Sequence, residues 1–427
     1  MCENPPDAAR DPDDMLRHEL TGRFFRYLSI PSQSDAAASG LPSTPGQRKM
    51  ADALARELAT LPGIRDVHLD DDTCCVTARL PGTVPQAPAI GFVAHLDTVD
   101  VGLAPEIRPQ ILRYEGADLC LNAREGIWLR AADHPELDRH AGQEVIFGDG
   151  SSVLGADNKA AIATIMTLLA RLPHAVPLRG DVVVAFVPDE EIGLNGARAL
   201  DLARFPADFA YTIDACALGE MVYETFNAVN ATIRITGVPA HPMSAKGRLV
   251  NPVTLAAEFM SLFDPMDVPE QSDGRQGYFL FTAIEANGAE AVLSLSLRDF
   301  DWTAMAARRR TVLAHVERME RRHPRAGFSC VFSERYRNIA ESLPGDDRSV
   351  SLLTRAMTAL RIAPKVIAMR GSTDGAVISA RGIPTPNYFT GALNFHSRFE
   401  CLPVADFLSS YRVTEQLVRL AGADACG

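Results

Sequence analysis

Val182–Gly193, VVVAFVPDEEIG, sets six apolar residues directly ahead of three consecutive acids. Six residues is strand length, and the run does not alternate apolar with polar, as a strand covered on both faces requires. Ala89–His95 (AIGFVAH) and Phe209–Ile213 (FAYTI) repeat the pattern. Between them Asn158–Leu172 places Ala161, Ile162, Ile165, Met166, Leu168, Leu169 and Leu172 at helical spacing. Towards the C-terminus, Val366–Met369 suits a strand, Asp374–Ala380 a helix start and Asp406–Leu420 a closing helix. Strands alternating with helices predict an α/β fold, a mixed and mostly parallel sheet with helices on both faces.

The middle of the chain follows another rhythm. Ala231–Thr236, Tyr278–Ile284 and Ala291–Leu297 alternate apolar and polar residues, as half-exposed antiparallel strands do. Helical stretches Pro252–Phe263 and Trp302–Arg322 fall among them, and a last strand runs through Phe328–Phe332. The order strand–helix–strand–strand–helix–strand predicts an α+β split βαβ sandwich inserted into the first domain. The expected division is 1–225 and 341–427 for the catalytic domain and 226–340 for the insert.

The chain has 427 residues and a formal net charge of -12. That length suits roughly two domains, and that charge argues against nucleic acid or an anionic membrane as main partner. No run approaches the ~20 apolar residues of a membrane span. The acidic start MCENPPDAARDPDDMLRHEL does not read as a secretory signal. Eight scattered cysteines without CxxC spacing read as reduced thiols rather than a disulfide framework or a thiolate zinc site. The expected location is the cytoplasm.

Candidate ligands fall at predicted strand ends, where open α/β sheets bind their ligands. In AHLDTVD the strand ends at His95, and Asp97, two residues on, points to the same face. A metal-binding imidazole needs its second nitrogen held by an acceptor, a role that suits Asp97. Asp157, in VLGADNKAAIA, reads alone as a helix N-cap, yet its two oxygens could each meet a cation. Glu190 and Glu191 follow the Val182 strand; crowded acids raise one another's pKa unless a cation sits among them. Adjacent glutamates could divide the labour, one ligating and one accepting a proton. Asp214 ends a third strand, and His396 lies in a C-terminal loop. Mixed imidazole and carboxylate donors suit zinc, with manganese or cobalt as alternatives.

The segments AHLDTVD, VLGADNKAAIA, PDEEIG, YTIDA, HPMSAKGRLVNP, RGSTDGA and NFHSRFE together resemble the peptidase T family, tripeptide aminopeptidases of the zinc aminoacylase and carboxypeptidase G superfamily. The likeness runs in the same order from about Leu20 to the C-terminus. It implies a zinc-peptidase-like catalytic domain holding two divalent metal ions, one on His95, Asp157 and Asp214, the other on Asp157, Glu191 and His396. Glu190 would be the general base towards water, Asp97 would orient His95, and the Asp157–Asn158 peptide would be cis. His241, by itself a turn residue before Pro242, would stabilise the oxyanion, reaching the neighbouring subunit of a homodimer formed through the insert. Arg370 would hold the substrate carboxylate, with Arg298 and Asn230 as further contacts; Arg298 could equally pair with Asp299 or Asp301.

This chain departs from the family's pattern at Met243, Ala340, Ser372 and the run Ser397–Arg398–Phe399, where a Gly–Lys–His sequence is usual. The expected activity is release of the N-terminal residue from short peptides, tripeptides first. Alternatives are a dipeptidase, carboxypeptidase or N-acyl amino acid deacylase with the same metal site, or a non-catalytic peptide-binding protein.

Overall fold

The computed structural model describes residues 11–175, 178–343 and 345–423. The N-terminal ten residues, whose composition bears on the secretory reading, and Cys2 and Cys426 lie outside the described residues. The chain divides into two compact units. The first comprises Met1–Tyr223, Ser342–Ile367 and Thr373–Gly427; the second comprises Glu224–Glu341 and the short return Ala368–Ser372.

An eight-stranded sheet organises the first unit, in the order Arg65–Leu69, Val76–Leu80, Val182–Val187, Ile90–His95, Phe209–Ala215, Asn387–Phe389, Glu220–Thr225, Lys365–Met369. The four central strands, from Val182–Val187 to Asn387–Phe389, are mutually parallel. Val76–Leu80 and Glu220–Thr225 flank them antiparallel, so the sheet is mixed with a parallel centre. Every residue of Ile90–His95 and Val182–Val187 is buried, as their unbroken apolar sequence requires.

Alternation along Ile90–His95 assigns its two faces. Ile90, Phe92 and Ala94 share one core with Ile162, Ile165 and Leu169 of the helix Ala156–Ala175 and Leu417 of Val404–Ala423. Emptying that core at Phe92 would cost about 3–5 kcal/mol. Gly91 faces the other way, where a Cβ would come within 2.5 Å of the Phe205 ring and 2.8 Å of Ala210 Cβ. No larger residue fits so close a packing. Because the central strands run parallel, His95, Pro188–Glu191 and Asp214 emerge at one end of the sheet.

Small strands in this unit escape a reading by periodicity. Cys401–Pro403, Gln143–Phe147 and Gln110–Tyr114 form a separate three-stranded sheet, and Leu119–Asn122 pairs with Ile127–Leu129. At three to five residues each, they are too short to show a period.

The second unit is an antiparallel sheet in the order Tyr278–Ala286, Glu290–Asp299, Asn227–Thr236, Gly327–Tyr336. Asn227–Thr236 alternates buried and exposed from Val229 onward. Ile233, Ile235, Leu293 and Leu295 form a core with Phe259 of the helix Pro252–Met260 and Val312 and Val316 of Trp302–Arg322. Residues Ala368–Ser372 join this unit, where Phe226 N–H donates to the carbonyls of Met369 and Gly371 at 3.2 Å. Cys74, Cys75, Cys120, Cys216, Cys330 and Cys401 are free thiols. No described helix is long and apolar enough to cross a membrane.

Candidate metal centre

Each member of the cluster lies at the end of a regular element or in the turn beside it, Asp214 being the penultimate residue of Phe209–Ala215. His95 is the last residue of its strand, and the chain turns at once to place Asp97. His95 Nδ1 lies 3.1 Å from the Asp97 carbonyl and 3.3 Å from its Oδ1. That leaves Nε2 facing inward, 2.9 Å from Asp157 Oδ1 and 3.8 Å from Asp214 Oδ1. The second imidazole mirrors the first. His396 Nε2 lies 3.1 Å from Asp157 Oδ2 and 3.0 Å from Glu191 Oε1. The Asp157 carboxylate therefore lies between the two imidazoles, Oδ1 towards His95 and Oδ2 towards His396, with Asp214 beside the first imidazole and Glu191 beside the second.

Asp157 begins the Ala156–Ala175 helix with non-helical backbone, and its peptide to Asn158 is cis, as the resemblance implies. Two main-chain donors here, Gly155 N–H and Asp157 N–H, bind the Glu400 carboxylate at 2.7 and 3.0 Å. Asn158 Nδ2 donates to Asp214 Oδ1 at 3.0 Å and to the Ile213 carbonyl at 2.7 Å, and Asn387 Oδ1 accepts from Asp214 N–H. Opposite, Asp97 accepts the N–H of Glu190 at 3.0 Å and of Glu191 at 3.2 Å. Asp189, with φ at +55°, ties the same turn to Gln47 and Ser43.

Electrostatically the cluster is overloaded with carboxylates. Burial and the Asp157 charge push Asp214 up to about 7. Burial and the same neighbour push Glu400 to about 8, and burial raises Glu190 well above the carboxylate range, partly offset by His95. Asp157 goes the other way: burial opposes ionisation, but His396 and His95 overcome it. Contacts with Asp157 and Glu191 raise His396 to about 10. Burial and mutual repulsion thus penalise this much negative charge, a penalty that a divalent cation would offset.

The donor set fits a divalent ion. His95, Asp157 and Glu191 offer ligand atoms all within 4.8 Å of one another. Glu191 Oε1 is buried without a hydrogen bond, although His396 Nε2 is close by. Glu191 Oε1 and His396 Nε2, 3.0 Å apart, are an oxygen and nitrogen pair that a divalent ion could share.

The other predicted site residues belong to the second unit. His241 is exposed and caps the short turn Pro242–Ser244, its Nδ1 accepting from Met243 N–H at 3.2 Å. Met243 is 92% exposed. Arg298 Nη1 lies 3.4 Å from Asn230 Oδ1, so these two come together on neighbouring strands. Asp299 takes Arg308 instead, and Asp301 caps its helix. Arg370 lies over the rings of Phe226 and Tyr278 and donates to the Gln276 carbonyl and Ser272 Oγ, each at 2.7 Å.

The sequence reading assigned no role to Glu400, Asn158 or Asn387. Glu400 follows His396 by four residues, within the motif NFHSRFE, which is the signal it left. The asparagines left none.

Against solved structures, the fold matches that of aminopeptidase PepT from Bacillus cereus, with a TM-score of 0.71 at 20% identity, covering 95% of this chain and 98% of that one. Such a match defines the architectural class, an α/β peptidase fold with an inserted domain. The model of peptidase family M20/M25/M40 matches residues 140–420. A peptidase T-like protein of Yersinia pestis is 56% identical over 402 residues, spanning 94% of this chain and 97% of its own length. Peptidase T of Aeromonas hydrophila is 41% identical over 406 residues, spanning 95% and 98%. The chain therefore belongs to peptidase family M20/M25/M40 and is a hydrolase.

Proposed function

We propose that this hydrolase is a two-zinc metallo-aminopeptidase that releases the N-terminal residue of short peptides, tripeptides first. The observation that carries the reading is the Asp157 carboxylate, set between two imidazoles with Oδ1 towards His95 and Oδ2 towards His396, while Asp214 lies beside the first imidazole and Glu191 beside the second. Those five residues would hold the ions. Bound divalent cations supply Lewis acidity and bring the pKa of water towards neutrality.

Glu190 is the residue assigned to take a proton from water and return it to the leaving amine. Desolvation raises its pKa above the ordinary carboxylate range, which makes the ionised carboxylate a stronger proton acceptor. Asp97 fixes the His95 tautomer through Nδ1 and holds the Glu190 turn by its main chain. Arg370, planar and with donors to spare beyond Gln276 and Ser272, is assigned the peptide carboxylate. Arg298 and Asn230 are assigned further substrate contacts, and His241 the oxyanion. The assembly proposed is a homodimer through the second unit, whose sheet has Tyr278–Ala286 and Gly327–Tyr336 as its edge strands among the described residues. The proposed location is the cytoplasm.

The resemblance of the seven motifs to the tripeptide aminopeptidases of the peptidase T family favours peptides with a free amino terminus over acylated amino acids. A panel of tripeptides, dipeptides and N-acetylated amino acids tests the choice. Tripeptides should turn over fastest; turnover of the acylated compounds alone would sink the aminopeptidase reading.

A further inference from the structure

His396 differs from the other four proposed ligands: its side chain is 47% exposed, and its backbone sits at φ +61°. A left-handed backbone costs a non-glycine residue of order 1–3 kcal/mol and persists only where the surroundings over-determine it. Asn394, two residues earlier, is left-handed too, at φ +60°. The loop therefore needs a brace.

Three attachments supply one. At its base, Leu393 and Cys401 exchange main-chain hydrogen bonds at 2.8 and 3.1 Å. On the side facing the cluster, Glu400 takes the N–H groups of Gly155 and Asp157. On the outer side, Asn394 Nδ2 donates to Glu136 Oε1 at 2.7 Å; that oxygen lies 3.0 Å from His134 Nδ1, and the His134 ring meets Phe399 edge to face at 4.9 Å. The third attachment comes from Pro135–His140, a turn that carries none of the proposed ligands. Phe399 is also where this chain departs from the Gly–Lys–His run usual in peptidase T.

We infer that Glu136, with His134, is a positioning residue that fixes the Asn394–His396 turn and thereby sets the cation site completed by His396 and Glu191. The inference rests on the two-cation reading above. Glu136 touches no ligand atom; it acts through Asn394. Residues that orient metal ligands typically cost 10–100-fold in metal affinity when removed.

Calorimetric titration of the metal-stripped chain with zinc tests it on the wild type, Glu136→Ala and Glu136→Gln, with circular dichroism to verify the fold. Glu136 is partly exposed on a short turn, so truncation leaves the core untouched. In Glu136→Ala one equivalent should bind as in the wild type and the other about 10–100-fold more weakly. Glu136→Gln keeps an acceptor for Asn394 and should recover to within about threefold. Asn394→Ala, which removes the partner from the other side, should reproduce the loss. Wild-type affinity for both equivalents in Glu136→Ala, equal weakening of both, or no recovery in Glu136→Gln would overturn the brace. Uptake of fewer than two equivalents by the wild type would overturn the two-cation reading itself, and this inference with it.

Discussion

The Asp97 carboxylate lies 3.3 Å from His95 Nδ1 and also accepts the main-chain N–H of Glu190 and Glu191. One buried side chain thus couples the orientation of an imidazole to the placement of the acidic turn. Substituting Asp97 by alanine should hurt twice, loosening His95 and freeing two buried N–H donors. The expected loss is ~10–100-fold in metal affinity and a fall in kcat beyond what saturating metal restores. A variant within threefold of wild type at saturating zinc would show that the coupling has no catalytic consequence.

Glu190 is not among the residues assigned to the ions, so its removal separates chemistry from metal binding. Glu190→Gln should lower kcat by ~10²–10⁴, the usual contribution of a positioned acid–base group. Zinc content, measured by mass spectrometry, should stay at the wild-type value. Near-normal turnover would take the proton shuttle away from this residue.

The strands and helices that position these groups were legible because they are long and strongly patterned: Val182–Val187 and Trp302–Arg322 have the bounds their sequences predict. The alternation of Ala231–Thr236 likewise announced an antiparallel sheet, although the strand begins earlier, at Asn227. The antiparallel flanks of the main sheet were not legible, since pairing direction leaves no mark on a short strand such as Arg65–Leu69. The proposed ligands were picked out from strand ends and motifs, and the fold brings them together. Their supports were not, because Asn158, Asn387 and Glu136 act through hydrogen bonds made across long sequence separations. The return of Ala368–Ser372 to the second unit left no compositional trace either.

Without metal, the fold should weaken as pH rises. Asp214 and Glu400, raised by burial to about 7 and about 8, hold protons in the folded state that an unfolded carboxylate releases near pH 4. Their contribution is complete below that value and is lost as pH climbs through 7 and 8. His396, raised to about 10 by Asp157 and Glu191, adds a loss of the same sign above the ordinary histidine range. Asp157 is ionised throughout this window and adds no slope. The Tm of the chelated chain should fall between pH 5.5 and 8.5, and the gain on adding zinc should grow, because the ion replaces protons. A zinc-induced gain that shrinks with pH would contradict this.

Glu400 should matter through the main chain it holds. Glu400→Ala strands the N–H groups of Gly155 and Asp157, at ~1–3 kcal/mol each if they stay buried and unpaired. Glu400→Gln, retaining one acceptor oxygen, should lose about half as much. Denaturant unfolding of the two variants checks the ratio; equal losses would assign the effect to charge rather than to the bonds.

In the proposed function, two ions shared by Asp157 drive cleavage at a free amino terminus. The most direct test is to strip the chain with chelator, add zinc in steps, and follow release of the N-terminal amino acid from a tripeptide. Activity should vanish on stripping and return to its plateau at about two equivalents per chain, the stoichiometry of a two-metal hydrolytic site. Undiminished release in the stripped chain, or no release at any zinc loading, would contradict it.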